Sequence, residues 1–179
     1  VFYVLEWNEK VNITGAKNAR EFVFKHIADV WEALSVYNCA EIIIDVGSGG
    51  GIPGIVIAIL RPDREVFLVE RRQKKASVLN SIVSKLGLEG RVKVIGAPFE
   101  AAKGLPKDAE IWLRGFLPGP KLAKYLSENF PRAELPPIVL MKGPNWPNEK
   151  QEIVKEAGIK SSWKESLVSA GEVSYERPN

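Results

Sequence analysis

The sequence predicts an α/β fold, a three-layer sandwich in which a mostly parallel, seven-stranded sheet is covered by helices on both faces. Three observations carry that prediction. From Glu41 onward, short β-branched runs alternate with stretches whose apolar residues recur at helical spacing. Such alternation is the one-dimensional trace of a parallel sheet wrapped by its own crossover helices. The first run passes straight into a glycine-rich turn and then a helix, "IIIDVGSGGGIPG", the strand–turn–helix unit of open parallel sheets. Finally, 179 residues with 45% hydrophobic and 26% charged side chains suit one domain with a full-sized core.

The elements follow in order. "VFYVLEWNEKVN" sets Val1, Val4, Leu5 and Asn8 on one side and reads as a short amphipathic helix. "ITGAKN" interrupts it. Asn18 then stands as an N-cap with Glu21 three residues on, a capping box. The helix it opens carries Phe22, Ile27, Val30, Trp31 and Leu34 as apolar positions. Residues 1–38 are therefore expected to form a helical extension packed on a single domain spanning 1–179. "EIIIDV" is a buried strand and "GIVIAIL" a short buried helix. "EVFLVE" is the second strand. "RRQKKASVLNSIVSKLGL" is a helix with Leu79, Ile82, Val83 and Leu86 at three- and four-residue spacing and Gly87 as its stop. "RVKVIG", "EIWL" and "PIVLMK" supply three more strands, with helical "KLAKYLSENF" between the last two. "EKQEIVKEAG" is a late helix, and two less regular strands close the chain. Crossovers between parallel strands should be right-handed. "LPPI" and "GPNWPNEK" read as loops, and no repeat, low-complexity tract or linker divides the domain.

Composition narrows the function classes. A net charge of +3 suits many metabolic enzymes and is compatible with a nucleic-acid partner. A single cysteine, Cys39, excludes an internal disulfide framework and a multi-cysteine zinc site. No metal is expected, and a reducing, cytoplasmic setting fits. No apolar run is long enough to span a bilayer and no basic-then-apolar signal peptide opens the chain, so no membrane association is expected. The chain starts at Val1 rather than Met, as a piece of a longer sequence would.

Gly47, Gly49, Gly50, Gly51 and Gly54 fall within one turn. Glycine loses more backbone entropy on folding than any other residue, so the cluster needs a geometric reason. The reason expected here is a large polar ligand lying where side chains would otherwise be. A turn after a parallel strand sits at the carboxyl edge of the sheet, where ligands of open sheets bind. The following helix offers free N–H groups and the positive end of its dipole, and Pro53 suits its first turn because a proline's missing N–H needs no partner there. Two cofactor classes fit. Gly49, Gly51 and Gly54 make the G-x-G-x-x-G pattern of dinucleotide-binding enzymes. Gly47, Gly49 and Gly51 make a G-x-G-x-G pattern that resembles the S-adenosylmethionine loop of class I methyltransferases. Glu70 serves either, since a carboxylate ending the second strand can accept hydrogen bonds from two ribose hydroxyls; alternatively it is a surface acid paired with Arg71 or Arg72. "RRQKK" places Arg71, Arg72, Lys74 and Lys75 at the same edge, at a helix start where the dipole disfavours cations. That cost implies a partner carrying negative charge, a 2′-phosphate or a nucleic-acid backbone, against the plainer reading of a solvated first turn.

"WNEKVNITG", "HIADV", "IDVGSGGGIPG", "RP", "LVERRQKK", "LRGF" and "LMKG" together resemble the ribosomal RNA small-subunit methyltransferase G family, also called glucose-inhibited division protein B. The resemblance runs from Trp7 to Gly143. It implies a class I (Rossmann-like) methyltransferase fold and S-adenosyl-L-methionine as cofactor. It implies methylation of guanine N7 in small-subunit (16S) ribosomal RNA, with that RNA or the small ribosomal subunit as partner, by a monomer. It places Gly47, Ser48, Gly49, Gly51 and Ile52 along the methionine and backbone side of the cofactor, Glu70 at the ribose, and Ala97, Phe99 and Glu100 by the adenine. Arg114 matches the family's active-site arginine, catalytic and in contact with the cofactor. His26, Asp29, Arg71, Lys74, Lys75 and Lys142 lie toward the RNA. The chain departs from the family at Pro98, where an arginine is common, and at Leu113 and Gly115 of "LRGF", where the family reads SRAF. Its amino-terminal extension is also shorter.

The chemistry agrees with this reading. Methyl transfer from a sulfonium is an in-line displacement whose main demand is alignment. Guanine N7 presents an exposed lone pair and no proton, so no general base is needed and few catalytic side chains are expected. No N-P-P-aromatic stretch follows the fourth strand, as methylation of a base amino group would suggest. Cys39 precedes the first strand, away from the ligand edge, which argues against a covalent cysteine mechanism. Arg114 is a hydrogen-bond donor to guanine O6 or a phosphate, or a strand-end salt bridge. His26, the only histidine, is an RNA contact or a structural residue. Lys142 is functional or a strand-end charge in need of a partner. Phe116 and Trp146 are stacking platforms for an extruded base or ordinary packing. An NAD(P)-dependent oxidoreductase and a non-catalytic RNA-binding protein that kept the fold stand as alternatives.

Overall fold

The computed structural model describes residues 1–129, 136–143, 145–157, 163–168 and 171–176. The strands are β1 (Ile42–Val46), β2 (Glu65–Val69), β3 (Val92–Ile95), β4 (Glu110–Arg114), β5 (Ile138–Met141), β6 (Trp163–Val168) and β7 (Gly171–Glu176). They form a seven-stranded sheet in the order β3–β2–β1–β4–β5–β7–β6. β1 to β5 are mutually parallel, while β7 runs antiparallel between β5 and β6. The mostly parallel sheet expected from the alternation is therefore present, closed at one edge by an antiparallel pair.

Successive strand residues point to opposite faces, and both faces are covered. Ile43, Val66, Leu68, Trp112 and Val139 belong to one buried cluster. Their chain neighbours Ile44, Phe67, Ile111, Leu113 and Leu140 belong to the other. Burial on both sides explains why these strands read as continuous apolar runs; each fully buried Leu or Ile contributes roughly 2 kcal/mol relative to an exposed one. The first face is packed by α4 (Gly54–Leu60) and α5 (Gln73–Lys85), through Ile55, Ile57, Val78 and Leu79 among others. The second face is packed by α6 (Gly119–Asn129) and α7 (Trp146–Ala157), through Leu122 and Trp146. α5 ends at Lys85 and is stopped by Gly87, which turns with φ +65° just past the Leu86 cap.

The amino-terminal helices lie on the first face. Val4 of α1 (Phe2–Val11), Phe22 of α2 (Ala19–Phe22), and Val30, Ala33 and Leu34 of α3 (Ala28–Val36) join the same cluster as Ile43 and Trp112. Asn18 caps α2, its Oδ1 accepting from Glu21 N–H at 2.8 Å. The reciprocal arm reaches one residue further back than a capping box does: the Glu21 carboxylate accepts from Lys17 N–H at 2.8 Å. Between α2 and α3 runs a wide π turn, Val23–Ile27, in which Ala28 N–H bonds the Val23 carbonyl five residues back. The regular helix expected over this stretch is thus interrupted, and the wider turn shifts the phase of α3. Trp31, read as an apolar-face position, is 61% exposed, and Val30, Ala33 and Leu34 take the buried stripe.

A second difference concerns "GPNWPNEK", read as a loop. Helix α7 already begins at Trp146, because Pro147 falls in its first turn, where no N–H is needed, and the Asn145 carbonyl accepts from both Asn148 and Glu149. Phe130 and Gly158, the last residues of the two late helices as read from sequence, lie outside the described residues. Among the described residues no helix is long and apolar enough to cross a membrane.

Candidate functional site

From β1 the chain steps outward to β2 and β3 and then returns to the other side of β1 as β4. The carboxyl ends of β1 and β4 therefore diverge, and a crevice opens between their loops. A cleft of about 520 Å³ occupies this position, within the range that holds a small ligand or cofactor. Residues after four parallel strands line it: Gly47 and Gly49 after β1, Glu70 to Arg72 after β2, Ala97 to Glu100 after β3, and Gly115 to Leu117 after β4.

The glycine turn is stitched to the end of β2. Gly47 and Ser48 N–H both bond the Val69 carbonyl, at 2.9 and 3.2 Å. Gly49 N–H donates to Glu70 Oε2 at 3.0 Å, and Arg72 N–H donates to Oε1 at 2.8 Å. Each Glu70 oxygen is thus fixed by one backbone donor and keeps a lone pair for a ligand hydroxyl, and the residue is only 6% exposed. Among the described residues Arg72 meets Glu70 through its backbone, and neither arginine side chain forms an ion pair with it.

The glycines serve two ends. Gly47 and Gly49 line the cleft and turn with φ +76° and +54°, in the left-handed region that side chains disfavour. Gly50 and Gly54 answer to packing instead, and Gly51 to both demands, since it too turns with φ +83°. A Cβ at Gly50 would sit 3.0 Å from the Ile13 carbonyl oxygen, one at Gly51 would collide with Ile55, and one at Gly54 would collide with Leu68 and Asp45. Space for a ligand explains only part of the cluster; the close approach of α4 and of the amino-terminal segment explains the rest.

Of the residues singled out in the sequence, Gly47, Gly49, Glu70, Arg71, Lys75, Ala97, Phe99 and Glu100 line the cleft, with Pro98 among them. Lys74 is exposed outside that lining. Ser48 is buried and donates through Oγ to the Asp45 carbonyl at 2.8 Å, and Ile52 packs against the core; neither these two nor Gly51 lines the cleft. Phe116 forms a wall, stacked edge-on with Tyr125 at 5.1 Å and lying across Gly47. Trp146 is 3% exposed in the core behind, which assigns it to packing. Lys142 has its partner inside the protein: Nζ pairs with Glu149 Oε2 at 2.7 Å and donates to the Leu117 carbonyl at 3.1 Å.

Arg114 ends β4 on the face shared with Asp45 and the amino-terminal helices. Its Nη2 donates to Asp29 Oδ2 at 2.9 Å, to the Lys25 carbonyl at 2.6 Å and to His26 Nδ1 at 2.9 Å. His26 Nε2 lies 2.9 Å from Thr14 Oγ1. Both ring nitrogens are therefore engaged within the protein, and burial, followed by the Arg114 charge, holds the imidazole below its ordinary pKa.

Sequence reasoning missed three residues here. Asp45 is 1% exposed, accepts from Gly54 N–H at 2.9 Å, and is pushed up to about 7, chiefly by burial. The signal was available, an acid near the end of an otherwise apolar strand. Thr14 completes the His26 contact, and Tyr125 closes the cleft by donating to Glu100 Oε2 at 3.3 Å. The Tyr125 hydroxyl is raised above its ordinary pKa by burial and by Glu100. For Thr14 and Tyr125 nothing local in the sequence pointed to the site.

A sheet in this strand order, antiparallel only at β7, with a glycine-lined crevice and an acid presented by backbone at the end of β2, fits an S-adenosylmethionine-dependent class I methyltransferase. Solved structures share the fold. A SAM-dependent methyltransferase from Aquifex aeolicus superposes with a TM-score of 0.65 at 18% identity, over 92% of this chain and 96% of that one. An O-methyltransferase of neocarzinostatin biosynthesis, solved with S-adenosylmethionine, superposes with a TM-score of 0.67 at 14% identity, over 89% and 55%. A family model described as rRNA small subunit methyltransferase G matches residues 1–176, and the chain belongs to that family. Ribosomal RNA small subunit methyltransferase G of Paracoccus denitrificans (strain Pd 1222) is 34% identical over 163 residues, 90% of this chain and 79% of the relative. The protein of the same name from Clostridium perfringens (strain 13 / Type A) is 45% identical over 92 residues, 50% of this chain and 38% of the relative.

Proposed function

We propose that the protein methylates N7 of a guanine in small-subunit (16S) ribosomal RNA, acting as a monomer in the cytoplasm. One observation carries the reading: Glu70, aimed by two backbone N–H groups at a glycine-lined cleft, stands beside a rim of exposed cations. The cleft suits S-adenosylmethionine. Glu70 accepts from the ribose hydroxyls, Glu100 accepts from the adenine amino group, and Gly49, with no close neighbour where a side chain would sit, leaves room for backbone to approach the remainder. The cofactor, when bound, supplies an electrophilic methyl group. Guanine N7 needs alignment and no proton acceptor. Among the described residues all the contacts of Arg114 run through Nη2. Its Nη1 and Nε hydrogens stay available to guanine O6 or a phosphate. Phe116 offers a ring edge for the extruded base. Arg71, Lys74 and Lys75 receive the RNA backbone, and Lys142 holds the loop after β4 through the Leu117 carbonyl.

The test is mass spectrometry of ribosomal RNA before and after incubation with protein and S-adenosylmethionine, on naked RNA and on small subunits in parallel. Gain of one methyl group on a guanine, with the chemical lability of an N7-methylated base, is expected on one or both. Binding of S-adenosylhomocysteine by thermal shift with no methyl gain on either substrate would overturn the reading.

A further inference from the structure

We propose that His26, as the neutral tautomer with its proton on Nε2, is a positioning residue that orients Arg114. The role assigned to Arg114 rests on the function proposed above; the tautomer does not.

The argument is one of donors and acceptors. A guanidinium is always charged and only donates. Nη2 of Arg114 lies 2.9 Å from His26 Nδ1, so Nδ1 must present its lone pair. An imidazole that accepts at Nδ1 and is neutral carries its proton on Nε2. Nε2 stands 2.9 Å from Thr14 Oγ1, which therefore accepts, as it also does from Ala16 N–H at 3.2 Å. Thr14 is itself held, its N–H donating to Asn8 Oδ1 at 2.8 Å. The ring sits edge-on to Phe22 at 5.3 Å. A chain of contacts thus runs from α1 through Thr14 and His26 to the end of β4.

Two hydrogens on Nη2 face three acceptors, the Lys25 carbonyl, His26 Nδ1 and Asp29 Oδ2. Asp29 alone would neutralise the charge but leave the plane of the guanidinium free to turn. Acceptors on several sides hold it. Two of the three belong to the π turn Val23–Ile27, a feature that recurs at functional sites. Protonation of His26 would remove one acceptor and set an N–H against the guanidinium. The charged groups acting on the ring are Arg114 from β4, Asp29 from α3 and Glu21 from α2. The Lys25 backbone carbonyl, followed by the two carboxylates, favours protonation, and burial with Arg114 outweighs them.

His26 is the only histidine, so long-range proton–nitrogen NMR correlations read it without ambiguity. The wild-type protein at pH 8 should show the Nε2–H pattern, and the ring should titrate below the ordinary 6.5. Arg114→Leu should raise that midpoint. An Nδ1–H pattern, or an imidazolium at pH 8, would overturn the proposal whether or not the protein methylates RNA. The activity arm uses three variants. His26→Ala should lower kcat for methyl transfer by roughly tenfold or more, the equivalent of one hydrogen bond to a charged group. KM for S-adenosylmethionine should change little. His26→Asn, whose side-chain oxygen reaches the place of Nδ1, should recover most of that loss and flatten the acid limb of the pH profile. His26→Gln, whose amide reaches toward Nε2, should not. Equal rates for the Asn and Gln variants would refute the positioning role. No transfer by wild type alongside the Nε2–H pattern would instead count against the proposed function.

Discussion

Asp45→Asn should relieve the fold of a cost that grows with pH. The carboxyl lies on the inner face of β1 at 1% exposure and accepts from Gly54 N–H at 2.9 Å. Burial raises its pKa from 3.8 to about 7; the Gly54 and Ser48 hydrogen bonds and the Arg114 charge pull the other way, and Glu70 adds to the rise. Because the folded value exceeds the unfolded one, the folded state holds the proton more tightly. Stability is therefore unaffected by this group below about pH 3.8 and is lost as pH rises from there through about 7, levelling off above. At 1.36 kcal/mol for each unit between the two values, the loss is about 4 kcal/mol, a large share of a typical domain's 5–15 kcal/mol. Asparagine keeps an oxygen for the Gly54 N–H and does not ionise. Urea unfolding of both proteins should show the variant gaining on wild type by about 4 kcal/mol between pH 4 and pH 8. The remaining titrations are common to both proteins and cancel in the difference. A difference that stays flat with pH, or grows toward acid, would refute the claim that burial governs this carboxyl.

Three further outcomes rest on the same geometry. Glu70→Gln leaves one acceptor oxygen where two are in use, so calorimetry should find S-adenosylhomocysteine binding weakened about ten- to a hundredfold, from 1.5–3 kcal/mol per charged hydrogen bond; unchanged affinity would remove Glu70 from the ribose. Gly54→Ala forces a methyl group between Leu68 and Asp45, and chemical denaturation should register about 1–3 kcal/mol of lost stability, the usual cost of overpacking; an unaltered midpoint would mean α4 stands further from the sheet than described. Arg71→Ala with Lys74→Ala should weaken RNA binding for every sequence and make its salt dependence shallower by about 0.7 per charge removed, read from affinities at several salt concentrations; an identical slope would take these cations off the RNA path.

Much of the fold was legible along the chain because its signals are local. Apolar runs marked the strands, 3–4 spacing marked α5, Gly87 marked its end, and Asn18 marked the start of α2, each through contacts made within a few residues. The glycine turn and Glu70 were legible for the same reason, lying at consecutive strand ends whose loops meet across one sheet edge. The tertiary structure decided what those groups do with residues far away. Arg114 meets Asp29 across 85 positions, Lys142 finds Glu149 only after α7 turns back, and Trp146 enters the core while Phe116 stays at the cleft. The π turn that brings Lys25 and His26 to Arg114 likewise leaves no local mark, and the burial that lifts Asp45 is marked only by an acid near the end of an otherwise apolar strand. Hydrogen-bond partners and desolvation depend on which distant surfaces close around a group, and chain crossings, rather than neighbours in sequence, set that.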